Sequence, residues 1–341
     1  MNGSESTSNR RPASSMTLWR VLLAVAAVTC ALPLHAQPKT DAYPARTVRV
    51  LVGNAPGGGI DITARAVSQK LTERLNRSFV VENRPGASGI IALDVTAKAP
   101  PDGYMLLVTS GSLISSANAQ KKIAYDVRTT YAPISQLASL CYMLLVTPAL
   151  PARNVKELVA LGKRRPGDLN YGSSGVGGAG HLAGELFAHT AGVKMVHVPY
   201  KGGGLVLADL IVGQIQLGFT ATISAMPHVR SGKLRALAVT SPRRAKALPE
   251  FPTVIESGVP FELVNWYGLS APAGTSSTVV SLLHQNVTQA LGSSDIEAML
   301  QKDGAEPAPS ASPQQFASVL ASEVERWDKI VLLPGFAEGL R

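Results

Sequence analysis

Cysteine and aromatic residues are scarce in this chain. Of its 341 residues two are cysteines, Cys30 and Cys141, and only 5% are Phe, Trp or Tyr. Because Cys30 lies in a segment that we expect to be removed, Cys141 is left alone, which excludes an internal disulfide and a cysteine-based metal site. The histidines outside this segment show no metal-ligand spacing. We therefore expect neither a metal nor a cofactor.

Acidic residues are outnumbered by basic ones, and the formal net charge is +9. The basic residues form only short runs, at 121–122, 163–165 and 243–244, and no aromatic residues lie between them. This pattern argues against nucleic-acid binding. A diffuse positive field is better suited to attracting small anions.

The N-terminus has the pattern of a secretory signal peptide. Arg10, Arg11 and Arg20 precede an apolar run at 21–34, and a cleavage site can be placed after Ala36. The run is short and rich in alanine for a membrane span. We expect residues 1–36 to be a signal peptide and the processed protein not to insert into a membrane. A retained anchor is the alternative.

The rest of the chain is organised around a strand, a glycine turn and a helix at 47–75. Residues 48–52 are mostly apolar and predict a buried strand, and an apolar stripe from Ile60 to Leu71 predicts a helix. Between them, Gly57, Gly58 and Gly59 leave the backbone accessible. The free N–H groups at the helix start could hold a carboxylate or phosphate without a basic side chain. The alternative is a tight turn that needs glycine only for its geometry.

Strands alternate with helices along the chain, which favours wound parallel sheets in an α/β fold. Further strands are predicted at 79–81, 104–109, 169–171, 194–198, 215–219 and 234–239. Helices are predicted through Ile91, Val95 and Ala99 and at 155–161, 181–190, 205–212, 224–231, 277–291, 295–302 and 313–329. An extended run at 134–146 predicts a crossing into a second lobe, and residues 266–274 predict the return. The C-terminal helices would then pack on the first lobe.

Two catalytic or cofactor motifs are weak in this chain. Residues 175–180 match G-x-G-x-x-G, but the next strand ends in Pro199-Tyr200-Lys201 instead of the acidic residue that would hold a ribose. Residues 172–176 lack the last glycine of the G-x-S-x-G nucleophile motif. His181 is too close in sequence to imply a triad, and we interpret it as a helix or packing histidine.

Several short motifs resemble, together and in this order, those of the periplasmic substrate-binding proteins of tripartite tricarboxylate transporters, the Bug receptors. They are Pro56-Gly57-Gly58 with Asp61, ENRPGA at 82–87, PDGY at 101–104, YGSSG at 171–175, HLAGELF at 181–187, VPYKGG at 198–203, GKLRALAV at 232–239 and APAGT at 271–275. The resemblance runs from about residue 43 to the C-terminus.

The resemblance implies a type II, flytrap-like fold of the periplasmic-binding-protein class, with two wound sheets and a central cleft. Lobe 1 would comprise residues 43–140 and 243–341, and lobe 2 residues 141–242. It also implies a periplasmic, non-enzymatic, monomeric receptor for a small organic anion, most simply a carboxylate. The receptor would deliver this ligand to membrane transporter subunits. An exported hydrolase or lyase, using the glycine turns as an oxyanion hole, and a ligand sensor for a signalling partner remain as alternatives.

The ligand contacts that the resemblance implies lie on several turns. On the first lobe they are Ala55, Gly57, Gly58, Gly59, Ile60, Asp61, Ser110, Gly111 and Ser112. On the second lobe they are Ser173, Ser174, Gly175, Gly177, Gly178, His181, Tyr200, Lys201, Gly202 and Thr220.

Four of these residues bear on the choice of ligand. Asp61 would repel a carboxylate, so we expect its charge to be used by its own helix. Gly59 and Ile60 stand where relatives usually carry a Ser or Thr pair. Thr220 stands where they usually carry an acid. The departures at Gly59-Ile60 and at Thr220 put the usual ligand geometry in doubt without disturbing the fold.

Overall fold

The structure is a computed structural model that describes Gly3 and residues 43–119, 123–245, 248–302 and 304–330. Apart from Gly3, the predicted signal peptide lies outside the described residues. No helix within them is both long enough and apolar enough to cross a membrane.

The described chain forms a ten-stranded sheet. Its strands are β1 (Val48–Val52), β2 (Phe79–Asn83), β3 (Met105–Ser110), β4 (Tyr131–Val146), β5 (Leu169–Ser173), β6 (Met195–Pro199), β7 (Leu217–Ala221), β8 (Arg235–Val239), β9 (Val264–Pro272) and β10 (Ala305–Pro307). Each strand predicted from the sequence is present, and the short β10 was not predicted.

Helices connect most of these strands. They are α1 (Gly59–Leu75), α2 (Ile90–Ala97), α3 (Gly111–Ala119), α4 (Val127–Thr130), α5 (Val155–Arg164), α6 (Ala179–Ala191), α7 (Gly203–Ile211), α8 (Thr222–Arg230), α9 (Ser277–Leu291), α10 (Ser294–Lys302) and α11 (Pro313–Ile330). A short 3₁₀ helix, Ala87–Gly89, precedes α2. The segment that begins at Gly111, expected to be a turn, is the start of α3.

The strand order is β2-β1-β3-β9-β4-β7-β5-β6, and β8 and β10 also pair with β4. The outer groups β2-β1-β3 and β6-β5-β7 are parallel, as the alternation of strands and helices predicted. The central strands β4 and β9 run antiparallel to their neighbours. The carboxyl ends of both parallel groups carry the glycine turns that lead into α1, α6 and α7.

Strand β4 belongs to both halves of the sheet. Its residues up to Cys141 pair with β9, and from Tyr142 onward it pairs with β7 and β8. The α/β fold with two wound sheets is therefore confirmed, with the two sheets sharing one long strand. After β8, the chain stays beside that strand through a bridge between Val239 and Thr253. The predicted lobe boundaries at 140/141 and 242/243 stay a prediction.

The helix predicted through Ile91 and Val95 is present as α2, but these two residues are not on its buried face. Ile91 and Val95 are 45% and 38% exposed, whereas Ala92 and Leu93 are buried. The helix ends at Ala97, so Ala99, the third residue of the predicted helix, lies outside it. The buried face of this short helix consists of Ala92, Leu93 and Thr96.

The C-terminal helices pack on the first half of the sheet, as predicted. Phe316 of α11 contacts Trp266 of β9 edge to face, with ring centroids 5.2 Å apart. Lys70 of α1 forms an ion pair with Asp295 of α10 at 2.6 Å. One apolar core runs through both halves, and it includes Val50 of β1 and Leu144 of β4.

Candidate ligand-binding site

A cavity of about 30 Å³ lies where the glycine turns of the two halves meet. It is large enough for one or two water molecules, so a larger solute requires the turns to separate. Its lining consists of Asn54, Gly58, Gly59, Ile60, Ser110, Leu113, Tyr142, Ser174, Gly178, Gly203, Phe219, Thr220, Ala221, Ser224 and Tyr267. Both halves of the sheet contribute to this lining.

The structure brings some of the predicted contacts to the lining and places others behind it. Gly58, Gly59, Ile60, Ser110, Ser174, Gly178 and Thr220 line the cavity. The other predicted contacts lie outside the lining: Ala55, Gly57, Asp61, Gly111, Ser112, Ser173, Gly175, Gly177, His181, Tyr200, Lys201 and Gly202. Their roles as ligand contacts stay predictions.

The first glycine turn ends in α1 without a side-chain cap. Gly58 is the N-cap and its φ is −82°, so its extended backbone requires no glycine. Gly57 has a φ of +85°, which favours glycine. A Cβ on Gly59 would lie 2.7 Å from Ile223 and 2.8 Å from the hydroxyl of Tyr267. Gly59 therefore lets the start of α1 approach the start of α8.

Asp61 is engaged by groups of its own turn, as the sequence indicated. Its Oδ2 accepts hydrogen bonds from Gly57 N at 3.0 Å and Arg65 Nε at 3.1 Å, and its Oδ1 accepts one from Asn83 Nδ2 at 2.9 Å. Burial alone would raise the pKa of Asp61, but these hydrogen bonds together hold it below its usual value. Its charge thus stabilises the turn behind the cavity.

The second glycine turn rests on buried polar side chains. Ser173 Oγ lies 2.7 Å from His197 Nε2 and accepts a hydrogen bond from Gly175 N at 3.2 Å. His181 Nδ1 accepts one from Gly177 N at 3.0 Å. Ser173 and His181 are both fully buried. They hold the turn from below, while Ser174 and Gly178 reach the cavity.

The third glycine turn contributes through its backbone. The Lys201 carbonyl oxygen accepts a hydrogen bond from Ala55 N at 2.7 Å, across the two halves. The Lys201 side chain is exposed. Tyr200 donates its hydroxyl hydrogen to Asp209 Oδ2 at 2.6 Å, and burial raises its pKa. Gly203, which the sequence did not single out, is the residue of this segment that reaches the cavity.

Sequence reasoning missed the tyrosines of the cavity. Asn265 Nδ2 donates hydrogen bonds to Ser112 Oγ at 3.3 Å and Tyr142 Oη at 3.5 Å. Burial raises the pKa of Tyr142 to about 12 and that of Tyr267 well above its usual value, so both hydroxyls stay protonated near neutral pH. Tyr142 lies on β4, which belongs to both halves of the sheet, and Tyr267 lies on β9 in the first half. The signal that the sequence offered for these two residues was a side chain with a polar hydroxyl inside an otherwise apolar strand.

The lining of the cavity combines helix N-termini with uncharged side chains. None of the described residues that line it carries a charge. The first residue or the N-cap of α1, α6, α7 and α8 belongs to the lining, so the N-terminal ends of four helices converge there. Each end supplies unpaired N–H groups and a positive dipole. The hydroxyl of Thr220 is buried in this lining and has no partner among the described residues.

Among the residues that the structure describes, this cavity has no metal-binding or catalytic arrangement. Within the described ranges, no group of three or more His, Cys, Asp or Glu could hold a metal ion. Ser173 and His197 are within hydrogen-bonding distance, but Ser173 is fully buried and lies outside the lining. Its hydroxyl therefore has no access to a bound molecule as a nucleophile.

Comparison with known proteins identifies the family. Residues 63–335 match the model of the tripartite tricarboxylate transporter family receptor. The chain belongs to this receptor family. Protein BugT of Bordetella pertussis is 33% identical over 93% of this chain and 98% of its own length.

Two solved structures have the same fold and bound carboxylates. The Rhodopseudomonas palustris protein Rpa4515 with adipate is 35% identical, with a TM-score of 0.81, over 87% of this chain and 98% of its own. MatC from the same organism, with bound malate, is 30% identical, with a TM-score of 0.80, over 85% and 100%. This tripartite tricarboxylate transporter family receptor is thus a solute-binding protein and not an enzyme, and the two-lobe fold is confirmed.

Proposed function

We propose that this receptor works in the periplasm. There it would capture a small carboxylate between its lobes and deliver it to the membrane subunits of a tripartite tricarboxylate-type transporter. Lobe 1 would comprise residues 43–140 and 243–341, and lobe 2 residues 141–242. The processed protein would be a monomer without its signal peptide, and it would contact the membrane only through its transporter.

One observation carries the carboxylate assignment. Four helix N-termini converge on a cavity whose lining has no charged side chain. A carboxylate satisfies several N–H groups there without the desolvation of a buried lysine or arginine. The adipate and malate bound by Rpa4515 and MatC support this choice of ligand class.

A panel of carboxylates tests the proposal directly. Purified, processed protein is titrated by calorimetry with adipate, malate, succinate and benzoate, while the solution is monitored for chemical conversion. We expect saturable binding of at least one carboxylate and no turnover. Failure of every carboxylate to bind, or conversion of a bound one, would contradict the proposal.

Transport and sensing are separated in cells. A strain that lacks the receptor should take up the carboxylate identified by calorimetry more slowly than its parent, and receptor expressed with its own N-terminus should restore the rate. Intact uptake together with a lost transcriptional response to the ligand would favour the sensor. Fractionation and N-terminal sequencing of the restored protein test export and cleavage near Ala36.

A further inference from the structure

Two histidines are stacked beneath the second glycine turn. The rings of His181, on α6, and His197, on β6, have centroids 3.9 Å apart and planes 8° apart. The ring of Tyr171, on β5, stacks beside them, 4.9 Å from His197 and 6.4 Å from His181. His181 is fully buried.

Both imidazoles hold the backbone of residues 173–178, here named the histidine-supported turn. His181 accepts a hydrogen bond from Gly177 N at 3.0 Å through Nδ1. His197 Nε2 contacts Ser173 Oγ at 2.7 Å, and that oxygen accepts from Gly175 N. Since Ser174 and Gly178 line the cavity, any shift of this turn changes the cavity wall.

The hydrogen bond to His181 requires a neutral ring. Nδ1 can accept from Gly177 N only through its lone pair, so the ring proton is on Nε2. A second proton on Nδ1 would place two donors, Nδ1–H and Gly177 N–H, against each other, and the turn would have to move. With His197 also charged, two cations would face each other 3.9 Å apart in a buried site.

We propose that His181 and His197 are positioning residues of the histidine-supported turn, and that the turn keeps its ligand-binding shape only while His181 is neutral. Acidification then releases the ligand. The effect on the shape of the turn does not depend on any ligand. Ligand release on acidification rests on the proposed carboxylate-binding function.

Neighbouring groups have opposite effects on whether the two histidine rings carry a charge. Burial lowers the pKa of His197 to about 4, which keeps it neutral near pH 7. Glu185 Oε1 lies 3.8 Å from His181 Nε2 and would favour a charged ring. Glu185 Oε1 also accepts a 2.5 Å hydrogen bond from Tyr171 Oη, which offsets part of the negative charge of the carboxylate.

Nuclear magnetic resonance tests the turn without any ligand. Side-chain ¹⁵N shifts of the wild-type protein report the tautomer and pKa of each histidine between pH 7.5 and 3. We expect His181 to be the Nε2–H tautomer, and the Gly177 amide resonance to shift with the same midpoint as the histidine pair. An Nδ1–H tautomer, or a Gly177 resonance that stays constant while His181 titrates, would overturn the proposal.

Calorimetry with adipate then tests ligand release. In His181→Asn, the side-chain oxygen can replace Nδ1 as the acceptor but does not titrate, whereas His181→Phe keeps an aromatic ring and loses the acceptor. Because adipate itself takes up protons in this range, the informative quantity is the ratio of wild-type to His181→Asn Kd. We expect this ratio to rise about tenfold per pH unit below the pKa of the pair.

The variants also separate positioning from bulk packing. His181→Phe should bind adipate more weakly than His181→Asn at pH 7. A ratio that stays constant over the pH range in which the resonances of the histidine pair titrate would overturn the proposal. If adipate does not bind the wild type at pH 7, another carboxylate of the panel that binds replaces it; if none binds, the proposed function fails, and the resonance of Gly177 still decides the inference about the turn.

Discussion

The backbone N–H of Ala55 donates a 2.7 Å hydrogen bond to the carbonyl oxygen of Lys201. This bond joins the turn before α1 to the turn before α7, so it crosses from one half of the sheet to the other. Residues 55–58 and 201–204 form an interlobe clasp around it. Glycine makes the approach possible, because a Cβ on Gly204 would lie 2.8 Å from the carbonyl oxygen of Pro56.

We expect Gly204→Ala to hold the clasp open while leaving the fold intact. Alanine favours a helix over glycine by about 1 kcal/mol, so α7 itself should not be weakened. The added methyl group would force the two turns apart. The variant should show a larger radius of gyration by small-angle scattering with saturating adipate, and weaker adipate binding by calorimetry.

Gly203→Ala is the matched control for closure. A Cβ there would come no closer than 3.9 Å to Gly58, which is ordinary contact distance. This variant should give the compact scattering profile of the wild type with adipate. If Gly204→Ala gives the same compact profile, the clasp does not control closure.

Gly58→Val and Gly177→Val should separate access to the backbone from turn geometry. Gly58 has an extended φ of −82°, so valine should weaken adipate binding with little loss of stability. Gly177 has a φ of +80°, where a β-branched residue is strained. Gly177→Val should therefore lose on the order of 1 kcal/mol or more of unfolding free energy. Urea unfolding and calorimetry measure the two effects, and unchanged affinity in both variants would assign the glycines to turn geometry alone.

The sequence predicted the parts of this protein that depend on local order. The strand, glycine turn and helix around Gly58 and around Gly177 were predictable because apolar period and glycine position are local signals. The antiparallel pairing of β4 with β9 was not, since it joins residues such as Ser139 and Trp266 that are distant in the sequence. For the same reason the tyrosines of the cavity, Tyr142 and Tyr267, were missed.

The charge of Asp61 should make stability depend on pH. Its pKa is lowered in the folded state, so the folded state gains stability above the unfolded pKa of about 3.9 and loses it as pH falls through the folded pKa. Asp61→Asn should unfold more readily at pH 7, by on the order of 1–3 kcal/mol, because its amide cannot accept all three hydrogen bonds.

Urea unfolding at pH 7 and at pH 3 checks this prediction. The stability difference between wild type and Asp61→Asn should narrow at the lower pH. Asp168→Asn, at an exposed position, is the control and should follow the wild type at both values. A difference that stays constant with pH would mean that Asp61 acts by packing and not by charge.

The pocket should prefer a carboxylate without an amine. A buried ammonium needs an acceptor, preferably a carboxylate, to offset its lost hydration. Thr220 supplies only a hydroxyl to the lining, and Ile60 supplies an apolar wall. The nearby acid, Asp61, is engaged by Arg65, Asn83 and its own turn. Succinate should therefore bind more tightly than aspartate, and benzoate more tightly than aminobenzoates.

Two threonine variants test whether the hydroxyl of Thr220 takes part. The hydroxyls of Thr220 and Thr222 are both buried, but only Thr220 lines the cavity. Thr220→Val should weaken succinate binding about three- to tenfold, the value of one hydrogen bond, while Thr222→Val should leave it unchanged. Thr220→Asp, which restores an acid, should shift the preference toward aspartate. Tighter wild-type binding of aspartate than of succinate, or equal losses in the two valine variants, would contradict this account, because the cavity would then discriminate ligands through groups other than Thr220.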